Sequence, residues 1–338
     1  MPEQTPEKKQ SLWKRITASR EASLLLVLIV LCALIEIRSP EFLTFSNIGE
    51  ILKNNAVIMI MSLGMLCVLL TGGIDISITS TLALSGMTVG MLFKYKVIQS
   101  TALGFLIAIA IGAACGALIG VIVSRGGVMP IIATMGFMYI YRGLAYLIAN
   151  SQWAGADALG SFTDFALSSS LGFGVINNVI MITILCYVVF FILLKWTKFG
   201  RSIYAIGSNR EAAEISGTHV ARVEFLVYLI MGLLAGLCGA LSVTVYSSAQ
   251  PNMVLGKEMD VIAACVIGGV SMSGGRGSVG GALLGSLILA VIAKALPLVG
   301  IDSIAQNTVK GVIILAVVIL NVVTKRMMDR SNLERRKI

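Results

Sequence analysis

Leu103-Gly-Phe-Leu-Ile-Ala-Ile-Ala-Ile-Gly-Ala-Ala-Cys-Gly-Ala-Leu-Ile-Gly-Val-Ile-Val123 runs for 21 residues without a charged side chain. As a helix it covers about 30 Å, the thickness of a bilayer's hydrocarbon core. Val179 to Leu194 is a second run with no acid. Across the 338 residues, 57% are hydrophobic and 13% charged, against roughly 25% charged in soluble domains. A soluble globule cannot hide that much apolar surface. Candidate spans are Ser23 to Ile37, Ala56 to Leu70, Ile76 to Phe93, Thr101 to Val123, Val128 to Ala149, Ile176 to Leu194, Val223 to Tyr246, Val261 to Val270, Val279 to Leu296 and Thr308 to Val323. The expectation is an all-α polytopic membrane protein with about ten transmembrane helices. The first run ends at Arg38-Ser39-Pro40 without a small-residue cleavage pattern, so it reads as a retained span.

The formal charge of +9 is explained by its placement. Five basic residues precede Glu21, five lie between Lys195 and Arg222, and six follow Thr324, whereas Asn150 to Val175 has none and carries Asp157 and Asp164. By the positive-inside rule the first three stretches are cytoplasmic and the last is external. The resulting organisation is a cytoplasmic tail 1–22, a membrane domain 23–323 with external loop 150–175 and cytoplasmic loop 195–222, and a cytoplasmic tail 324–338. Lys94 and Lys96 are exceptions that the helix count places outside. No nucleic-acid partner is implied.

Soluble chemistry is equally disfavoured. His219 is the only histidine, and Cys32, Cys67, Cys115, Cys186, Cys238 and Cys265 are scattered through apolar runs, so no metal site has workable spacing. They read as small hydrophobes between helices. Gly274 to Gly281 is glycine-rich but lacks the lysine of a phosphate loop. No catalytic residue and no cofactor are expected on this chain.

Two spans end in paired glycines: Gly72-Gly73-Ile74-Asp75-Ile76-Ser77 and Gly268-Gly269-Val270-Ser271-Met272-Ser273. Glycine pairs break helices and free backbone groups that lipid cannot satisfy, so both segments are expected to line a pathway. Their likeness suggests an internal two-fold pseudo-repeat, parallel or inverted. Ionisable groups in apolar surroundings are functional candidates: Asp75, Arg142, Glu258, Asp260, Arg276, Lys294 and Lys310, with Asn54 and Asn55 at the start of the second span. Each has a structural alternative: Lys257, Glu258 and Asp260 at a membrane interface, Lys310 snorkelling, Asp75 paired with a base. An ion-coupled carrier would need acids or histidines in mid-span, and the two best-centred runs have none.

Between Lys195 and Arg222, Ser208-Asn209-Arg210-Glu211 has the form of a capping box. A short helix should start at Ser208, end at Gly217 and expose Ala212 and Ala213 to another surface.

Glu211-Ala212-Ala213, three residues and then Gly217 resemble the coupling motif of ABC import permeases. Gly200 to Asn209, Leu70 to Ser77, Pro130 to Gly136 with Arg142-Gly143, Ser248 to Pro251 and Gly268 to Gly281 are similar to the ribose/xylose/arabinose and autoinducer-2 group of that family, over roughly Asn47 to Val323. The resemblance implies a permease in the bacterial cytoplasmic (inner) membrane, paired with a second permease subunit, identical or not. It also implies two ATP-binding cassette domains that use ATP-Mg, and an external solute-binding protein delivering a small sugar-like substrate. Coupling to the ATPase would fall on Arg201, Tyr204, Gly207, Ser208, Asn209, Glu211, Ala212, Ala213 and Gly217. The pathway would include Asn54, Asn55, Gly72, Gly73, Asp75, Arg142, Gln250, Pro251, Asp260, Gly268 and Gly269. Met87, Met91, Met129, Met135 and Met138 add adaptable side chains to the spans and leave the substrate open. The competing reading is an ion-coupled secondary transporter or a channel.

Overall fold

The computed structural model describes residues 20–169, 176–298, 300–302, 305–309, 311–312, 315–316 and 319. The helices in chain order are α1 (Arg20–Arg38), α2 (Phe45–Leu70), α3 (Ile78–Lys94), α4 (Thr101–Ser124), α5 (Pro130–Ala149), α6 (Ala156–Leu159) and α7 (Ser161–Leu167). They continue as α8 (Asn178–Trp196), α9 (Lys198–Ser208), α10 (Arg210–Ile215), α11 (Val220–Tyr246), α12 (Lys257–Ile267) and α13 (Val279–Leu298). No strand forms among the described residues, and one isolated bridge pairs Ala154 with Ala249. The all-α polytopic expectation is met.

Nine of the ten expected spans fall on helices, but they are not equivalent. Among the described residues six helices, α2, α4, α5, α8, α11 and α13, are long and apolar enough to cross a membrane. The others fall short for separate reasons: α1 carries Arg20, Glu21, Glu36 and Arg38, α3 has 17 residues and α12 has 11. At 1.5 Å per residue α12 covers only about 16 Å, half a hydrocarbon core. Most of Thr308 to Val323, the Lys310 side chain, residues 1–19 of the first tail and the whole of the last tail lie outside the described residues.

The core is set by glycine. Between α4 and α11, a Cβ on Gly112 would lie 2.2 Å from the Gly232 carbonyl oxygen, and one on Gly116 would lie 2.8 Å from the Gly232 Cα. Between α3 and α11, a Cβ on Gly239 would lie 2.6 Å from the Leu82 carbonyl oxygen. Lipid gives no hydrophobic reason for helices to associate, so close backbone contact through small residues supplies the attraction. The α2 residues from Ala56 to Leu70 are buried except for the half-buried Ile58, whereas α4, α5 and α8 keep broad apolar faces outward. A polar knot ties α8 to α2 and α13: the Tyr187 hydroxyl donates to the Met59 carbonyl (3.0 Å) and meets the Ser62 and Ser286 hydroxyls at 3.1 and 3.4 Å. Cys67, Cys115, Cys238 and Cys265 are buried as small apolar groups.

The two ends of the bundle differ. At one, Lys94 donates to Gln152 (2.8 Å) and to the Trp153 carbonyl (2.9 Å), and Ala154 pairs with Ala249. This gathers the end of α3, the start of the acidic loop and the α11–α12 connection. Lys94 therefore shares an end of the bundle with the start of the 150–175 loop. At the other end lie α9, α10, the C-termini of α2 and α12 and the start of α1.

A Gly232→Leu chain should lose thermal stability in detergent by at least the ~1–3 kcal/mol of an overpacked core. Gly155→Leu, at a position with nothing within 4 Å, should leave the midpoint of a thermal melt unchanged.

Candidate functional site

Two short helices form an arm across the basic end of the bundle. The Thr197 hydroxyl accepts the Gly200 N–H (3.0 Å) and starts α9. Gly200, Ile203 and Ile206 turn inward on α9, while Arg201 and Ala205 face out. The Tyr204 hydroxyl donates to the Gly277 carbonyl at 2.9 Å, and burial raises its pKa above the ordinary phenol value, so it stays a donor near neutral pH.

The cap of α10 corrects the sequence reading. Asn209, not Ser208, is the N-cap: its Oδ1 accepts the Ala212 N–H at 2.9 Å. Ser208 instead closes α9, with its hydroxyl donating to the Tyr204 carbonyl (2.8 Å), and Glu211 falls one place short of the capping-box position. Both residues can cap, and the helix in front of Ser208 claims it. Ala213 is also corrected, since it is buried against the bundle while Ala212 is exposed. Gly217 ends α10 as expected, at φ +85°, with Gly217 N–H reaching the Glu214 carbonyl (2.9 Å) and Thr218 N–H reaching Ala213 (3.0 Å). Arg210 clamps α10 to α11 through a two-pronged pair with the buried Glu224 carboxylate.

The arm thus has two faces. Tyr204, Gly207 and Ala213 lie toward the bundle; Arg201, Ser208, Asn209, Glu211, Ala212 and Gly217 lie toward solvent, with Ile215 exposed at 89%.

Both glycine pairs fold into one turn. Gly72 (φ +82°) bonds the Leu69 carbonyl while Gly73 bonds Val68; Gly269 (φ +93°) bonds Val266 while Val270 bonds Cys265, all at 2.9–3.0 Å. Each satisfies the carbonyls at a helix end, and each needs glycine at the left-handed position. Gly72 is therefore the counterpart of Gly269, and the sequence alignment of Gly72 with Gly268 shifts by one. The counterpart of Asp75 becomes Met272. Both helices run toward α9, so the two segments have parallel sense.

These turns lie at the basic end, beneath the arm, and not in mid-bundle. Gly275 N–H donates to the Leu70 carbonyl at 2.9 Å, and Gly274 lies against both Gly207 and the Gly72 N–H. Gly207 seals the junction: a Cβ there would be 1.8 Å from the Leu70 oxygen and 2.4 Å from the Gly275 nitrogen. Gly268 packs on Gly281, and Gly269 on the Arg20 guanidinium.

A second polar layer lies deeper, where α3 and α12 begin from opposite directions. Thr79 donates to the Glu258 carboxylate (2.8 Å) and joins the two starts. Arg142, from α5, donates through Nη1 to the carbonyls of Pro251 (2.7 Å) and Met253 (3.1 Å), and its buried Nε and Nη2 have no partner among the described residues. Lys257 pairs with Asp260 at 3.0 Å beside a cavity of about 30 Å³ that Asn55 and Ser286 also line. Two helix N-termini supply positive potential there, met by Glu258 and Asp260. Asp75 belongs just before α3: its carboxylate accepts the Ser77 N–H (2.9 Å) and hydroxyl (2.6 Å) and has no basic partner among the described residues.

The expected pathway residues therefore divide. Asn55, Arg142, Pro251 and Asp260 gather around the start of α12; Gly72, Gly73, Gly268 and Gly269 form the two turns at the basic end. Asn54 is exposed, Gln250 bonds Ser248 (3.0 Å), and Lys294 reaches Glu50 (3.2 Å). Arg276 uses its backbone, accepting the Ser271 N–H. Sequence reasoning missed Thr79, Glu224, Gly274 and Gly275 as members; Glu224, an acid in the first turn of an apolar span, was the one visible signal.

The family model described as branched-chain amino acid transport system / permease component matches residues 47–321. The ribose import permease protein RbsC of Escherichia coli strain K12 is 38% identical over 308 residues, 89% of this chain and 93% of that protein. RbsC of Bacillus subtilis strain 168 is 37% identical over 87% of this chain and 90% of its own length. The L-arabinose ABC transporter permease protein AraH of Azospirillum brasilense is 33% identical over 91% and 88%. No solved structure matches the chain.

Gly207→Ala should lift α9 from the junction without unfolding the bundle. Limited trypsin digestion should cut faster at Lys198, Arg201 and Arg210, while the thermal midpoint in detergent moves little; an unchanged cleavage rate would remove Gly207 from the contact.

Proposed function

Because the chain belongs to the branched-chain amino acid transport system / permease component family, we propose that it is the membrane-spanning subunit of an ATP-driven importer of a small sugar-like solute. Two permease subunits, two ATP-binding cassette domains using ATP-Mg, and an external solute-binding protein complete the assembly. The names of the relatives, ribose and arabinose permeases, support an aldopentose as the first substrate to try.

One observation carries the reading: the end of α9, at Gly207 and Ser208, rests by backbone contact on Leu70 at the end of α2 and on Gly274 and Gly275 in the loop after α12, while α10 presents Glu211, Ala212 and Ile215 outward. The outward face is the dock for the ATPase, and the basic end, with both termini, is cytoplasmic. Closure of the ATPase pair on ATP moves the arm, and Gly207 passes that movement to the ends of α2 and α12. The layer at the start of α12 faces the pathway, with Arg142 and Asn55 offering donors to sugar hydroxyls and Asp260 acceptors. Packed helices that shift between two arrangements convert the movement into a change of access.

The importer should be reconstituted in proteoliposomes with its ATPase and binding protein. Gly217→Pro removes both the left-handed φ and the N–H that close α10. ATP hydrolysis should then continue while uptake of labelled ribose or arabinose falls to background. Wild-type uptake by this variant would sink the coupling role. Uptake by the unmodified chain in ATP-free vesicles under an ion gradient would favour a secondary carrier.

A further inference from the structure

A cavity of about 550 Å³ forms a groove on the flank of the bundle at its basic end. Its walls are apolar, built from Val188, Phe191 and Leu194 of α8 and Val279 and Leu283 of α13. Its end carries two charges of opposite sign, Lys195 and Glu21. They form no ion pair with each other or with any other described residue. Lys195 Nζ lies 5.0 Å above the Phe191 ring and 5.8 Å from that of Trp196, which steers the ammonium without neutralising it. Glu21 takes one hydrogen bond, from the Ser278 hydroxyl at 2.6 Å. Trp196, 63% exposed, sits beside them as interfacial tryptophans do.

We propose that this groove binds one phospholipid whose headgroup joins a phosphate to a primary ammonium. An acyl chain lies along Val188, Phe191 and Leu283; the phosphate sits at Lys195 and the ammonium at Glu21. Charge complementarity selects that headgroup. A net-negative headgroup would satisfy Lys195 but bring no cation to offset the Glu21 carboxylate. A quaternary ammonium has no N–H to give the carboxylate. The lipid would brace α8 and α13 beside Tyr204 of the arm, which lines the groove and bonds the Gly277 carbonyl just before α13, and this places membrane composition in contact with the moving part.

The test uses the full-length chain in mild detergent, offered equimolar phosphatidylethanolamine, phosphatidylcholine and phosphatidylglycerol, with bound lipid counted by native mass spectrometry. Phosphatidylethanolamine should be retained in preference, and Lys195→Ala should weaken its retention about fivefold, equivalent to ~1 kcal/mol for one basic residue at a lipid phosphate. Glu21→Gln should erase the preference over phosphatidylcholine while leaving retention of phosphatidylglycerol equal or higher. Leu283→Trp, which fills the groove, should lower retention of all three while keeping the thermal midpoint. Equal retention of the three lipids, or variants that behave as wild type, overturns the proposal. So does a wild-type chain that retains no lipid while Lys195 is shielded from amine-reactive labelling, which would give the groove to the basic N-terminal segment or to a second copy of the chain.

Discussion

The Leu70 carbonyl is the last of α2, and the Gly275 N–H that reaches it at 2.9 Å comes from the loop that follows α12. A helix that ends near hydrocarbon leaves carbonyls that lipid cannot satisfy, each costing several kcal/mol if orphaned. The two glycine turns satisfy most of them locally. The Leu70–Gly275 bond then ties one turn to the other, so the ends of α2 and α12 are one mechanical unit. Gly207 lies over that bond with no room for a methyl group. Anything that displaces α9 must either carry both helix ends with it or break a hydrogen bond in a poorly hydrated place.

Rigidity elsewhere makes such a junction useful. Where α4 and α3 meet α11 through Gly112, Gly116 and Gly239, the backbones are in contact and cannot slide without opening voids. By contrast, α12 has half the length of a span and is joined at its start to α3 by one polar contact, Thr79 to Glu258, with Lys257 and Asp260 paired within its own first turn. A rigid α3–α4–α11 block beside a short, polar-tethered α12 concentrates any movement at the layer where Arg142 and Asn55 lie.

Much of this was legible in the sequence, and the failures have a common cause. Uninterrupted apolar runs located nine helices because their length is fixed by bilayer thickness, a one-dimensional constraint. The αL position in each turn was also signalled, since the paired glycines mark it. Which glycine of the pair takes that position depends on the hydrogen bonds made, and so the repeat shifted from Gly268 to Gly269. Ser208 failed likewise: a hydroxyl able to cap either neighbouring helix is assigned only by packing, and Ile203 and Ile206 extend α9 far enough to claim it. Depth was the least legible quantity. Glycine pairs inside apolar runs look mid-membrane on paper, whereas folding brings them beneath the arm, and the polar layer forms from residues as distant in sequence as Thr79 and Glu258.

The scarce charge inside the bundle bears on the source of energy. Asp75 is held by Ser77 at the start of α3, Glu258 by Thr79, and Asp260 by Lys257. Each carboxylate is anchored to its own partner, and no hydrogen bond links one acid to the next among the described residues. A proton pathway requires groups that exchange one proton in turn, within hydrogen-bond reach. These acids instead do fixed electrostatic work, set against the positive N-terminal ends of α3 and α12. On the proposed function the driving displacement arrives from outside the bundle through the α9–α10 arm, whose Gly207 lies against the end of α2 and the loop that follows α12.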